Sequence, residues 1–241
     1  MNILGESYGR YINLSGRVDR NDHMRTELKR VGVYAQRFEA YTPDQWQEAR
    51  FAKMRARTPG AIGCYMSQLA VMDIAQGYHK NALVMEDDLV FCDDLHKRLA
   101  IFNVWAEKRD WDVLWLGATY HLQPTWHRAG HQDELPCECD LGMDWEPTDN
   151  KHIVRTYGCW STYAYIVRYQ SIPLVRELLI NLIEKSIGID YSFIALQPIL
   201  KTYAITPGCV KQYDNKSNIG NGVTRFSGFS KLGPHWWKQK L

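Results

Sequence analysis

The sequence lacks any apolar run near the roughly 20 residues that cross a bilayer, and its opening stretch "MNILGESYGR" has no long apolar segment of the signal-peptide kind. These absences predict a cytoplasmic protein. Neither sign of charge is in excess: 29 Lys plus Arg stand against 27 Asp plus Glu, and the net charge of +2 gives no broad basic field for holding a nucleic acid backbone. Internal repeats and low-complexity segments are also missing, which leaves one domain over residues 1–241 as the simplest organisation. Cysteine is sparse. The six, at 64, 92, 137, 139, 159 and 209, lie mostly among apolar neighbours and form no Cys-x-x-Cys pair. That pattern suits buried thiols in a reducing compartment better than a disulfide framework, although an even count leaves bridges open.

What is present is ordinary globular material, 45% hydrophobic and 23% charged, in a chain of 241 residues that can bury a substantial core. "YINL" (11–14) reads as a strand, followed by a helix with Met24, Leu28 and Val31 on one face and Gly32 as its stop. "TPGAIGCYMSQLAVMDIAQG" repeats this with Thr58 as a cap, Pro59 in the first turn, Ile62, Met66 and Leu69 inward, and Gly77 at the end. "NALVMED" is a buried strand. A helix with Leu95, Leu99, Phe102 and Trp105 inward follows, and then a strand at "WDVLWLG" (111–117). Residues 118–151 break the rhythm with acidic and turn-forming residues, and predict a long loop insertion. Beyond them "HIVRTYGCWSTYAYIVR" reads as two strands around a Gly turn, "SIPLVRELLINLIEK" as a helix, and "LKTYAITP" and "CVKQY" as short strands. Strands alternating with helices predict an α/β fold. Its Rossmann-like, mostly parallel sheet should be covered on both faces, with a ligand outside the carboxyl ends of the strands.

Glu86, Asp87 and Asp88 sit at such an end. In an extended chain Glu86 and Asp88 point one way and Asp87 the other, which is spacing for two hard oxygen ligands on one divalent ion. A solvated strand end explains the same residues. Asp93 and Asp94 stand at a helix start, where they read as caps.

Three blocks, "YINLSGRVDRNDHMRTELKRVGVYAQRFEAY", "PGAIGCYMSQLAVM" and "ALVMEDDLVF", occur in an order that resembles glycosyltransferase family 25, which includes lipooligosaccharide and collagen hydroxylysine galactosyltransferases. "STYAYIVRYQSIPLVRELL", "GIDYSF" and "VKQYDNKSNI" resemble its second half more loosely, so the similarity spans most of residues 10–220. The resemblance implies a GT-A fold, a UDP-galactose or UDP-glucose donor, Mn2+ or Mg2+, and inversion at the anomeric carbon. Glu86 and Asp88 are then expected to hold the metal, with Asp87 turned towards the donor ribose or sugar. Asn13, Arg17 and Asp19, in the family's amino-terminal block, are expected around the nucleotide; Arg20 is open between a donor role and solvation. Gly60, Gly63 and Ser67 match a glycine block near the donor, though close helix packing explains the glycines equally well. Gln68 stands where the family usually has His, and it cannot titrate near neutrality. Gln212, Ser217 and Asn218 match the closing block and are expected at the donor phosphates, or as polar turn residues. Asp190 takes the place of the family's aspartate as the base that deprotonates the acceptor, with a helix N-cap as its alternative.

Two rival readings accompany this. Loss of turnover would leave a nucleotide-sugar or glycan-binding module, and paired carboxylates also serve a metal-dependent phosphohydrolase. His121, His127, His131, Cys137 and Cys139 gather in "HLQPTWHRAGHQDELPCEC" without regular zinc spacing, and the segment reads rather as a loop over the acceptor side. The tail (222–241), with His235, Trp236, Trp237, Lys238 and Lys240, suits weak peripheral contact with a membrane surface, or packing against the domain. The sequence leaves the acceptor and the oligomeric state undetermined.

Overall fold

The computed structural model describes residues 2–42, 59–119, 145–183 and 188–212. In chain order the elements are β1 (Ser7–Asn13), α1 (Val18–Val31), β2 (Gln36–Glu39), α2 (Pro59–Gly77), β3 (Asn81–Met85), β4 (Leu89–Phe91), α3 (Leu95–Ala106), β5 (Val113–Thr119), β6 (Trp145–Pro147), β7 (Ile153–Thr156), β8 (Trp160–Val167), α4 (Ile172–Leu182), α5 (Ile189–Leu196), β9 (Thr202–Ile205) and β10 (Val210–Gln212). One sheet has the order β2-β1-β3-β8-β5-β9-β7-β6, and β4 pairs with β10 in a separate antiparallel ribbon. The fold is mixed α/β. β1 is parallel to β2 and β3, and β5 to β9, whereas β8 and β7 run against their neighbours.

The apolar run of β3 is explained by burial on both faces. Ala82 and Val84 pack with Leu69, Met72, Val175 and Phe193 from α2, α4 and α5, while Leu83 and Met85 pack with Met24, Leu28, Leu99 and Phe102 from α1 and α3. β5 divides the same way, Val113 and Trp115 to the first layer and Leu114 and Leu116 to the second. α1 ends as its sequence predicts. Gly32 takes φ 65, and Val33 N–H reaches back to Leu28 O at 3.0 Å, satisfying a carbonyl the helix leaves open.

Several expectations need correction. The two strands expected around the Gly turn, β7 and β8, both form, but β5 and β9 lie between them. β8 instead pairs with the two most apolar strands, β3 and β5, where its own two-sided burial is matched. Both described ends of the 118–151 loop are ordered strands, since β5 runs to Thr119 and β6 begins at Trp145. Asp93 and Asp94 do not cap α3 with their side chains; Asp94 pairs at 2.8 Å with the buried Arg98, and Asp93 at 2.6 Å with Arg30. A buried guanidinium needs a counter-charge more than a helix end in water needs a cap. Cys92, Cys159 and Cys209 are buried free thiols and Cys64 is a half-buried one. No helix among the described residues is long and apolar enough to cross a membrane. Thr58, most of the loop, its His and Cys residues, and the tail lie outside the described residues.

Candidate active site

Glu86, Asp87 and Asp88 occupy the bend between β3 and β4, at the carboxyl end of the most buried strand. A bend, not a strand, sets their directions. Asp87 turns inward: Asn13 Nδ2 donates to its Oδ2 at 2.7 Å and Arg20 Nη1 to its Oδ1 at 2.6 Å. Arg20 Nη1 also lies 3.2 Å from Asp88 Oδ2. Asp88 Oδ1 is buried and has no hydrogen-bond partner among the described residues. Glu86 is half-buried; its N–H donates to Tyr163 O on β8 at 2.8 Å, and its Oε2 accepts from Gln212 Nε2 on β10 at 2.6 Å.

Electrostatics follows from this crowding. Glu86 is held well above the ordinary carboxylate range, first by burial and then by Asp88, Asp190 and Asp87, with the Gln212 amide opposing. Asp88 is pushed up to about 6, by burial first, against which Arg20 and Gln212 act in its favour while Asp87 adds to the rise. Protein groups alone therefore leave the pair short of positive charge.

Asp190 lies in the first turn of α5, whose N-cap is Gly188. Its side chain is no cap. Asp190 Oδ1 accepts from Thr162 N–H at 2.8 Å and from Thr162 Oγ1 at 2.9 Å, which fixes it against the start of β8. Burial raises it and the two Thr162 bonds pull it back. Its charge adds to the rise at Glu86. Beside it Tyr191 meets Trp160 edge-on, with ring centroids 4.7 Å apart. The thiol of Cys64 on α2 is pushed up by burial and then by Glu86 and Asp190.

The expected donor residues divide. Asn13 is almost fully buried; both amide hydrogens are used, on Asp87 and on Arg17 O at 3.0 Å, and its Oδ1 accepts from Arg37 Nε at 2.8 Å. It supports Asp87 from behind and offers no amide hydrogen to a nucleotide. Asp87 itself faces Arg20 rather than outward. Arg17 and Asp19 form a forked pair at 2.9 and 2.7 Å on the open start of α1, and Arg17 lowers Asp19 to about 2. Ser67 is wholly buried, donating to Gly63 O at 2.7 Å and accepting from Tyr41 N–H at 2.9 Å, so it ties α2 to the segment after β2. Gly63 has a packing reason, because a Cβ there would meet Tyr41 O at 2.4 Å. Gly60 is exposed in the first turn of α2, one turn before Cys64. Gln212 is at the acidic cluster; Ser217 and Asn218 lie outside the described residues.

Of two further contributors, Arg20 was left open by the sequence and Thr162 escaped it. Arg20 is 7% exposed, so the solvated alternative fails. Thr162 carried no signal because a threonine in a strand is unremarkable until α5 is folded onto it. The ribbon carrying Gln212 is held from below by the buried Arg98, whose Nη1 donates to Pro207 O at 2.9 Å and Gly208 O at 2.7 Å. From above, α1 grips β4, with Glu27 Oε1 accepting from Phe91 N–H at 2.7 Å.

The site fits a divalent cation in part. An unpartnered buried carboxylate oxygen and two carboxyls that resist ionisation are the donor set such an ion would satisfy. Among the described residues no group of three or more His, Cys, Asp or Glu forms a complete protein cage, so further ligands would have to come from substrate and water.

The model of glycosyltransferase family 25 (LPS biosynthesis protein) matches residues 10–135. No curated protein matches significantly. Among solved structures, mouse xyloside xylosyltransferase 1 in its apo form is similar at 9% identity with a TM-score of 0.43, covering 96% of this chain and 80% of that one.

Proposed function

Because the chain belongs to glycosyltransferase family 25, we propose that it moves a hexose, galactose or glucose, from a UDP-sugar to an acceptor hydroxyl with inversion, on a GT-A fold. Glycosyltransferase activity follows from the family. The observation that supports the finer reading is the carboxylate pair Glu86 and Asp88, the first raised by burial and then by Asp88, the second by burial and then by Asp87, with Asp88 Oδ1 unpartnered among the described residues.

Glu86 and Asp88 would hold Mn2+ or Mg2+, which when bound neutralises the donor diphosphate and the charge growing on departing UDP. Arg20 pairs with both Asp87 and Asp88, so the cluster is braced before any ligand arrives. Asp190 takes the proton of the attacking hydroxyl. That oxygen forms a bond to the anomeric carbon as the bond from carbon to phosphate oxygen breaks, and its electron pair leaves with UDP. A carboxylate raised towards neutrality by burial suits this task better than an exposed one. The Trp160–Tyr191 pair beside it offers an aromatic wall for a sugar ring.

Calorimetric titration with UDP, with and without Mn2+, tests the reading. Binding should require the metal and be lost in Asp88→Ala; UDP binding that ignores metal, or none at all, would count against it. Slow Mn2+-dependent release of UDP from UDP-hexose separates an enzyme from a binding module of the same fold.

A further inference from the structure

We propose that Gln68 and Thr162 are positioning residues that aim Asp190, an inference resting on Asp190 being the base. A directed chain of hydrogen bonds runs through the layer between α2, β8 and α5. Tyr165 OH donates to Gln68 Oε1 at 2.7 Å, Gln68 Nε2 reaches Thr162 Oγ1 at 3.4 Å, and Thr162 Oγ1 donates to Asp190 Oδ1 at 2.9 Å. Tyr165 and Gln68 are fully buried and Thr162 is 3% exposed, so water does not compete along the chain.

Direction is the point. A threonine hydroxyl has one hydrogen, and it goes to whichever neighbour accepts. With the Gln68 carbonyl occupied by Tyr165, the amide turns its hydrogens to Thr162 and to Cys64 Sγ, also at 3.4 Å, so the hydroxyl hydrogen is left for Asp190. The reversed amide would draw that hydrogen to Gln68 and strip Asp190 of one donor. Both Thr162 bonds end on Oδ1, and no hydrogen bond among the described residues reaches Oδ2. Oδ1 is therefore pinned and Oδ2 is the oxygen free to accept a proton. Gln68 performs this without a charge of its own. A histidine there would add a titrating group to a layer that already holds Cys64, Tyr163, Tyr165 and Glu86 near Asp190.

Two readouts test the inference on the full chain. The 13Cγ resonance of Asp190, assigned through Asp190→Asn, reports the carboxyl directly. Thr162→Val removes a donor to the charged form, so the Asp190 titration midpoint should rise; Gln68→Leu should raise it less, and Thr162→Ser should leave it unchanged. In parallel, UDP release from UDP-hexose with Mn2+, water serving as acceptor, should lose about 10-fold in kcat in Thr162→Val and Gln68→Leu, with KM held and Thr162→Ser restoring the rate. Thermal melts confirm that each variant is folded. Midpoints that are the same in all four proteins, or a loss confined to KM, would overturn the positioning role. Midpoints that move as described while no UDP-hexose is turned over would leave the hydrogen-bond chain standing and remove the transferase reading instead.

Discussion

Arg20→Met puts the electrostatic account of the acidic cluster at risk. Arg20 is buried and faces two carboxylates, Asp87 at 2.6 Å and Asp88 at 3.2 Å. Methionine keeps most of the stem's packing and removes the charge. Breaking a buried ion pair from one side costs about 3 to 5 kcal/mol, because the abandoned charge stays desolvated. For a domain of this size that corresponds to a fall in Tm of about 10 °C. The loss should depend on pH in a fixed direction. Asp88 is pushed up to about 6, above its ordinary 3.8, so near pH 5 it is largely protonated, whereas near pH 8 it carries a charge that faces Arg20. Urea unfolding of wild type and Arg20→Met at pH 5 and pH 8 measures the difference. The variant should lose more at pH 8, and Asp87→Asn in the same background should recover part of it. Equal losses at the two pH values would show that Arg20 acts through packing and not as the counter-charge of Asp87 and Asp88.

Two further outcomes are expected. Because burial raises Asp88 in the folded state, its contribution to stability is present below its ordinary 3.8 and is lost as pH rises through about 6, about 3 kcal/mol across that window. Asp88→Asn should flatten that slope and abolish the Mn2+-dependent Tm shift with UDP, measured by thermal melts from pH 4 to 8; an unchanged slope refutes the assignment. Gly63→Ala forces a methyl against Tyr41 O, 2.4 Å from the ideal Cβ position, and should cost about 2 kcal/mol in urea unfolding. A variant as stable as wild type would mean the Tyr41 segment yields freely.

The legible parts of the fold were those whose residues are decided by their own neighbours in sequence. β3 announced itself as an unbroken apolar run because both its faces are covered, and α1 by its spacing of Met24, Leu28 and Val31 before Gly32. β10 was read from "CVKQY", but β4 was not, because its three residues carry almost no periodicity and the ribbon the two form depends on Arg98 and Glu27 from distant helices. At the site, the acidic triplet was visible as a cluster, but which carboxylate turns inward was not. Asn13 and Arg20 decide that, and they are 74 and 67 residues away from Asp87. Asx and Ser residues that looked suited to a ligand, such as Asn13 and Ser67, proved to spend their hydrogen bonds on the chain itself, an outcome that no local pattern distinguishes.

The placement of β8 between β3 and β5 has a consequence for biosynthesis. As the chain emerges from a ribosome, β3 and β5 are finished while the strand that joins them is still about forty residues from its start. Until residues 160–167 arrive, the facing edges of two of the most apolar strands stay open, and the nascent domain should be most prone to chaperone capture or self-association in that interval. Closing that gap also brings in Thr162, so the sheet becomes continuous and the acidic bend gains its opposite wall in the same event.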